Sequence, residues 1–282
     1  MVGDTARPAP AGREIERMCR LLGYVHDQPV SVEDLLGPQG LEDFTALTRV
    51  HGDGWGMAWR AGGETHVLSA PGSADVSAEY AAAVRRPLGA AGILHLRWAT
   101  GGLPVTQENT HPFVDGDYAF AHNGHVSPIA DLEALLTEET RAKLVGTTDS
   151  ERYFHFVMQC VRDEGDLRSG VQRSLGVLLH HFKECSLNAL LLAPTHLVAI
   201  HVNSHARSPY ARLRTLFDSE DEVPPRHLTE YFTMDYRVHA EGIAVISSGL
   251  EQQGWTSVGE DRAVMVDLET REVTDLLLAE RV

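Results

Sequence analysis

Cys19, directly after Met18, is the first residue whose type and position suggest chemistry. The two residues open an apolar run, MCRLLGYVH, that is typical of a strand, where a lone cysteine is usually a small buried side chain. If translation begins at Met18 and the initiator is removed, however, Cys19 carries a free α-amine. That amine titrates near pH ~8 and the thiol near ~8.5, so the amine can take the thiol proton and later return it to a leaving amine.

Chemistry of this kind requires an unblocked amine, because any residue ahead of Cys19 turns the base into an amide. Residues 1–17 are rich in Pro, Gly and charge, which predicts a disordered tail. Either the true start is Met18, or the tail is cleaved off, or it stays and the protein is inactive. We favour a start at Met18, because the tail shows no sign of structure.

The dipeptide Asn123–Gly124, in the segment HNG, is a second candidate. Asn-Gly is the strongest two-residue signal for a hairpin turn, and a turn is its ordinary interpretation. An asparagine amide beside a glycine N–H can also direct two donors at one oxygen. Such donors stabilise a tetrahedral oxyanion, each by about 3 kcal/mol.

Arg97 and Asp149 complete the set. Arg97 lies at the end of an apolar strand pattern, where it could pair with a protein carboxylate or grip a substrate carboxylate with its guanidinium. Asp149 lies in TTDSE, which has the spacing of a helix cap, and it could instead face a ligand ammonium. A thiol, an oxyanion pair, a carboxylate clamp and an ammonium anchor together fit glutamine or a γ-glutamyl amide.

With these motifs the sequence resembles the class II glutamine amidotransferases, members of the N-terminal nucleophile hydrolase superfamily. The matching stretches run in family order from Met18 to about Glu151: MCRLLGY, DGWGMAW, LRWATGG, NTHPF, FAHNGHV and TDSE. The first and last look closest to small stand-alone members such as the ergothioneine-pathway γ-glutamyl hydrolase. Gly101 departs from the synthase-type glutaminases, which carry histidine after RWAT.

The resemblance implies a role for each matching residue. The nucleophile is Cys19, the oxyanion hole is Asn123 and Gly124, and the substrate head is held by Arg97, Asp149 and the backbone from Trp98 to Thr100. The fold that it implies is a four-layer αββα sandwich of the α+β class. That fold suits the order of predicted elements, in which strands are followed by helices and then by strands again. We expect one domain over residues 18–282.

Composition limits the partners. The formal net charge of −16 argues against nucleic acid and anionic membranes. Three cysteines are too few for a disulfide framework, and no apolar stretch is long enough to span a bilayer, so the cytoplasm is the expected location. The fifteen histidines show no ligand spacing, and acyl transfer through a thioester needs no cofactor, so we expect neither a metal nor a cofactor.

Two enzymatic functions share these residues. The first is an amidohydrolase that acts alone on glutamine or a γ-glutamyl metabolite. The second is a glutaminase subunit that delivers ammonia to a separate synthase partner. A third alternative, a catalytically inactive module that binds γ-glutamyl compounds, applies if the tail remains on Cys19.

Overall fold

The computed structural model of the protein describes residues 19–99, 103–203, 206, 210, 214–215, 217–224, 226–227, 230–276 and 278. The tail predicted over residues 1–17 lies outside this part of the chain. The assignment of a single domain to residues 18–282 stays a prediction. Among the described residues, no helix is long and apolar enough to cross a membrane.

The described residues form thirteen strands and six α-helices. The strands are β1 (Arg20–Val30), β2 (Gly54–Ala61), β3 (Glu64–Pro71), β4 (Gly89–Arg97), β5 (Phe113–Asp115), β6 (Tyr118–His125), β7 (Ser186–Leu192), β8 (His196–His201), β9 (Met234–Val238), β10 (Gly242–Ser247), β11 (Thr256–Ser257), β12 (Arg262–Asp267) and β13 (Val273–Leu276). The helices are α1 (Val32–Ala46), α2 (Ala78–Ala83), α3 (Ile129–Ala134), α4 (Glu138–Arg141), α5 (Asp149–Glu164) and α6 (Leu167–His181).

Two antiparallel sheets form the centre of the fold. Sheet A has seven strands in the order β11-β9-β10-β1-β4-β2-β3, and sheet B has six in the order β13-β12-β8-β7-β6-β5. An apolar layer joins them, in which Leu21 and Ile93 of sheet A pack in one cluster with Ala121 and Leu190 of sheet B. Strands β1 and β4 contact β6 across this layer.

Helices cover the outer face of each sheet. Phe154 and Leu175, from α5 and α6, belong to one buried cluster with Phe120 of sheet B. Phe44 and Tyr80, from α1 and α2, belong to another with sheet A. The predicted four-layer αββα sandwich is therefore confirmed.

Strand β1 shows why the sequence near Cys19 is apolar at consecutive positions. Alternate side chains point to opposite faces of a sheet, and both faces of sheet A are covered. Leu21 accordingly packs toward sheet B, whereas Leu22 packs toward the helices. The strand is central in sheet A, paired with β10 and β4.

The turn interpretation of Asn123–Gly124 is wrong. Both residues lie inside β6, where they pair with Asn188 and Leu187 of β7. The pairing with β7 outweighs the local preference of Asn-Gly for a hairpin, because it extends the ladder along the whole strand.

Candidate active site

Cys19 directly precedes β1 and is almost completely buried, with 8% of its surface exposed. The N–H of Trp98 donates to Cys19 Sγ at 3.4 Å, and the thiol lies 3.9 Å from the carbonyl oxygen of the same residue. The end of β4 therefore fixes the sulfur. Strand β1 pairs with β4 in a register that places Arg20 opposite Leu96, which brings the end of β4, followed directly by Trp98, to Cys19.

Burial raises the pKa of the Cys19 thiol from 9.0 to about 11, against the lowering effects of the Trp98 N–H and of the charges on Arg97 and Arg20. At neutral pH this cysteine is a protonated thiol. A thiolate is the nucleophilic form, so attack requires a base that takes the proton. In a chain that retains Met18, the main-chain nitrogen of Cys19 is an amide and cannot serve as that base.

Arg97 is the last residue of β4 and points into the layer between the sheets, on the same face as Ile93. It is 3% exposed, and one guanidinium nitrogen, Nη2, donates to Pro104 O at 3.3 Å. The other, Nη1, is buried and has no hydrogen-bond partner among the described residues. An unpaired buried guanidinium N–H is costly, and it is well suited to an anionic oxygen.

Asn123 is fully buried on the face of β6 that continues from Ala121 toward sheet A. Within the part of the chain that the structure describes, neither its Nδ2 nor its Oδ1 has a hydrogen-bond partner. Each such atom costs about 1–3 kcal/mol when it stays unpaired in a protein interior. Gly124 follows it at a position where a Cβ would lie 2.0 Å from Ser186 O, so no side chain fits there.

Asp149 is the first residue of α5. Thr148 caps this helix by accepting from the N–H of Glu151 at 3.1 Å, as the sequence pattern predicts. Asp149 Oδ2 accepts from the N–H of Val126 at 2.8 Å, just beyond the end of β6. This bond ties the carboxylate to the strand that carries Asn123 and Gly124.

His122 holds the same strand from its other face. Its Nδ1 lies 2.9 Å from Ser150 Oγ, and its Nε2 lies 2.8 Å from Ser186 O. Since a carbonyl only accepts, Nε2 carries the proton and Nδ1 accepts from the serine hydroxyl. Burial lowers the pKa of His122, partly opposed by the charge of Asp149, so the ring is a neutral brace between β6 and α5.

The backbone after Arg97 is only partly described, because Thr100 lies outside the described residues. The Ala99 N–H donates to Asp53 Oδ2 at 2.8 Å, and Asp53 N–H in turn donates to Arg97 O at 3.0 Å. The N–H groups of Trp98 and Ala99 are thus engaged within the chain. Asp53 was not among the predicted site residues. It fixes the segment whose backbone is predicted to hold the substrate.

Two further groups near the site were not predicted. The buried rings of His95 and His111 lie 4.2 Å apart between centroids, and no other described residue forms a hydrogen bond with any of their four nitrogens. Arg20 is also fully buried. It contacts the main-chain carbonyl of Cys19 and the side chain of His227. The sequence shows an arginine one residue after the candidate nucleophile, but it does not show that His227 is the partner of this arginine.

Among the described residues, no group of three or more His, Cys, Asp or Glu side chains is arranged to hold a metal ion.

A family model described as "Glutamine amidotransferases class-II" matches residues 18–258, and the chain belongs to this family. Over 184 residues the chain is 32% identical to the glutamine–fructose-6-phosphate aminotransferase of Mycolicibacterium paratuberculosis, in a match that covers 61% of this chain. The match covers only 28% of that relative, so the chain corresponds to a minor part of the larger protein.

Solved structures share the fold at low sequence identity. A glutamine aminotransferase class-II domain protein from Silicibacter pomeroyi has a TM-score of 0.60 at 18% identity, with 92% of this chain and 99% of that chain covered. The glutamine phosphoribosylpyrophosphate amidotransferase of B. subtilis has a TM-score of 0.57 at 17% identity, with 92% and 49% covered. These likenesses agree with the αββα sandwich of N-terminal nucleophile hydrolase type.

Proposed function

We propose that this protein hydrolyses the γ-amide of glutamine or of a γ-glutamyl metabolite, with Cys19 as an N-terminal nucleophile. The observation that carries the proposal is the buried Cys19 thiol, on which the charge of Arg97 acts, together with the buried polar side chain of Asn123 on the face of sheet B that packs toward sheet A. Cys19 directly precedes strand β1 of sheet A, Arg97 ends β4 of the same sheet, and Asn123 belongs to sheet B. Membership of the class II glutamine amidotransferase family supports the same reaction class.

The substrate head would be held at both of its charged groups. Arg97 has an unpaired Nη1 for the α-carboxylate, and Asp149 offers a carboxylate to the α-ammonium. Fixing these two ends leaves the γ-carbonyl directed at Cys19, so that attack becomes effectively intramolecular.

The chemical steps need one base and one pair of donors. Cys19 Sγ forms a bond to the γ-carbon while its proton moves to the Cys19 α-amine. The carbonyl oxygen becomes an oxyanion, stabilised by Asn123 Nδ2 and the Gly124 N–H. The C–N bond then breaks as the α-ammonium gives its proton to the leaving amine. Water then attacks the thioester with the α-amine as base, which releases glutamate, and the proton taken by the amine returns to the leaving sulfur and restores the thiol.

The proposal includes removal of residues 1–18, because the buried thiol, with a pKa of about 11, needs a base to take its proton. With Met18 attached, the mechanism lacks its base. We therefore expect activity only after Cys19 has become the N-terminal residue. A chain that keeps residues 1–18 would be the inactive binding module.

The test is to incubate protein beginning at Cys19 with glutamine and a panel of γ-glutamyl amines, and to measure the release of glutamate and of ammonia or the amine. Mass spectrometry of acid-quenched protein should find one γ-glutamyl group on the peptide that contains Cys19. Efficient turnover of a γ-glutamyl amine favours the stand-alone hydrolase. Turnover of glutamine alone favours a glutaminase that supplies a synthase, and turnover of neither contradicts the proposal.

A further inference from the structure

A fully buried guanidinium lies directly behind the candidate nucleophile. Arg20 Nη1 donates to the carbonyl oxygen of Cys19 at 2.9 Å. Its Nε and Nη2 lie 3.1 Å and 2.9 Å from His227 Nε2. Its Cζ lies 4.3 Å from the centroid of the Tyr231 ring. Among the residues that the structure describes, Arg20 forms no ion pair with a carboxylate.

The geometry fixes the charge of this cluster. Every nitrogen of a guanidinium is a donor, so His227 Nε2 must be an acceptor, and its ring is neutral. Burial raises the pKa of Tyr231 to about 12, so the phenol is neutral as well. Arg20 therefore carries a positive charge, and among the described residues no carboxylate pairs with it. Burying an ion without such a partner is costly, which points to an anion formed beside it during function.

The anion nearest along the chain is the thiolate of Cys19 and, after attack, the oxyanion of the adduct. The other charged groups that act on the thiol are Arg97, from β4, and Asp53, from the loop before β2, which oppose each other. A second path links the cluster to the sulfur. His51 Nε2 lies 3.5 Å from His227 Nε2, and the His51 ring packs edge-on against Trp98, whose N–H contacts Cys19 Sγ.

We propose that Arg20 is a positioning residue that holds the main chain of Cys19 and supplies the fixed positive charge that the thiolate and the tetrahedral adduct require. The inference deepens the proposed function and rests on it for the catalytic step. Its effect on the thiol itself can be measured without any substrate. The side chain of Arg20 lies on the face of β1 opposite the layer between the sheets. Its proposed role therefore rests on its contacts with Cys19, His227 and Tyr231.

The test compares Arg20→Met and Arg20→Gln, which remove the charge, with Arg20→Lys, which keeps it. Arg60→Met is the matched control, because the Arg60 side chain is only 13% exposed and is paired with Asp117 away from the site. The readout is the rate at which iodoacetamide alkylates Cys19 in the folded full-length chain from pH 7 to 10. Peptide mapping separates Cys19 from the other two cysteines, and thermal unfolding confirms that each variant is folded.

We expect the uncharged variants to raise the apparent pKa of the thiol by about one unit or more, so that alkylation at pH 8 slows about ten-fold. Arg20→Lys should stay within about three-fold of the unmodified protein in alkylation and lose turnover, because lysine lacks the planar fork. Arg60→Met should change neither. Unchanged alkylation in a folded uncharged variant overturns the proposal.

If both uncharged variants fail to fold, Arg20→Lys decides the matter. Alkylation within three-fold supports the proposal, and a ten-fold loss with the charge retained overturns it. A glutaminase assay on the same proteins separates the two proposals. Alkylation that depends on Arg20 in a protein without amidase activity would leave this inference standing and refute the proposed function.

Discussion

The layer between the two sheets has two ends that differ in chemistry. The apolar end is a close-packed cluster that includes Leu21, Ile93, Leu190 and Val245. The polar end, reached by continuing β4 and β6 on the same faces, contains Arg97, His95, His111 and Asn123. Several of its buried nitrogens, and one oxygen, have no hydrogen-bond partner in the described part of the chain.

The two ends contribute to stability with opposite signs. Burial of apolar side chains stabilises the sandwich by about 1.5–3 kcal/mol for each large residue. Each unpaired buried polar atom costs about 1–3 kcal/mol. A sequence selected for stability alone would fill both ends with apolar side chains. The polar end is therefore where we expect function, and substitutions at the two ends should separate activity from stability.

The largest expected effect is that of Cys19→Ala. It removes the nucleophile, so release of glutamate should fall to the background of the assay, while the melting temperature stays close to that of the unmodified protein. Cys160→Ala is the control, because Cys160 is also buried but lies in α5, within the cluster that packs α5 and α6 on sheet B. That variant should lose some stability and keep its activity. Substantial turnover by Cys19→Ala protein would contradict the account.

Asn123→Ala should lower kcat by about 100- to 1000-fold, because it removes one donor to the oxyanion. Its free energy of unfolding should not fall by more than about 0.5 kcal/mol, since neither polar atom has a partner to lose. The measurements are steady-state kinetics and urea unfolding.

Asn188 provides the control for this prediction, because it lies opposite Asn123 on β7. Its Nδ2 donates to Phe232 O at 2.8 Å, and its Oδ1 accepts from Val202 N–H at 2.9 Å. Asn188→Ala should therefore destabilise the protein by about 1–3 kcal/mol. The reverse pattern, in which Asn123 matters for stability and Asn188 for rate, would show that the polar end is structural.

Leu190→Ala tests the apolar end. Leu190 is fully buried between the sheets, and a Cβ on Gly23 would lie only 3.0 Å from its Cδ1, which shows how closely it packs. The variant should lose about 2–5 kcal/mol of unfolding free energy in urea titration. The folded fraction should keep its kcat. A loss below about 1 kcal/mol would mean that this end of the layer is loosely packed.

Asp149→Asn keeps an acceptor for the Val126 N–H and removes the charge. We expect KM to rise by about 10- to 100-fold, which corresponds to the ~1.5–3 kcal/mol of a charged hydrogen bond, with a smaller change in kcat. Initial rates over a range of glutamine concentrations give both constants. An unchanged KM would remove Asp149 from the substrate site.

The last effect concerns acid stability. Burial lowers the pKa of His95 from 6.5 to about 3. Between these values the unfolded chain binds a proton that the folded protein does not, so stability is complete above about pH 6.5 and falls as the pH is lowered toward 3. One such group contributes up to about 1.4 kcal/mol per pH unit. Urea unfolding from pH 7 to 4 should show a shallower slope for His95→Gln, and an identical slope would contradict this assignment.

Much of the fold was predictable because long apolar runs have to be buried, either in strands that are covered on both faces or in helices that pack on a sheet. The core strands and helices α5 and α6 follow from such runs. The segments SVEDLL and LEDFTALTRV predict two short helices, and α1 indeed consists of two helical segments that meet at Gly37, where φ is 75°. The short strands β5, β9 and β11 were not predicted, because two to five residues carry too little periodicity.

The site was predictable only in part. Each candidate residue came from a motif, but the contacts that surround them are made by distant segments. Arg20 and His227 are separated by 207 positions, and no local pattern links them. The unpaired atoms of His95 and His111 are likewise a property of packing between strands and loops, which a single sequence does not reveal.

The most direct test of the central claim compares the full-length chain with a chain whose translation starts at Met18. Intact mass should show that the second protein begins at Cys19, and a glutaminase assay should find turnover in that protein alone. The full-length chain should keep its full mass and should be inactive until residues 1–18 are removed. Equal activity in an uncleaved full-length chain would contradict the claim that the Cys19 α-amine is the catalytic base.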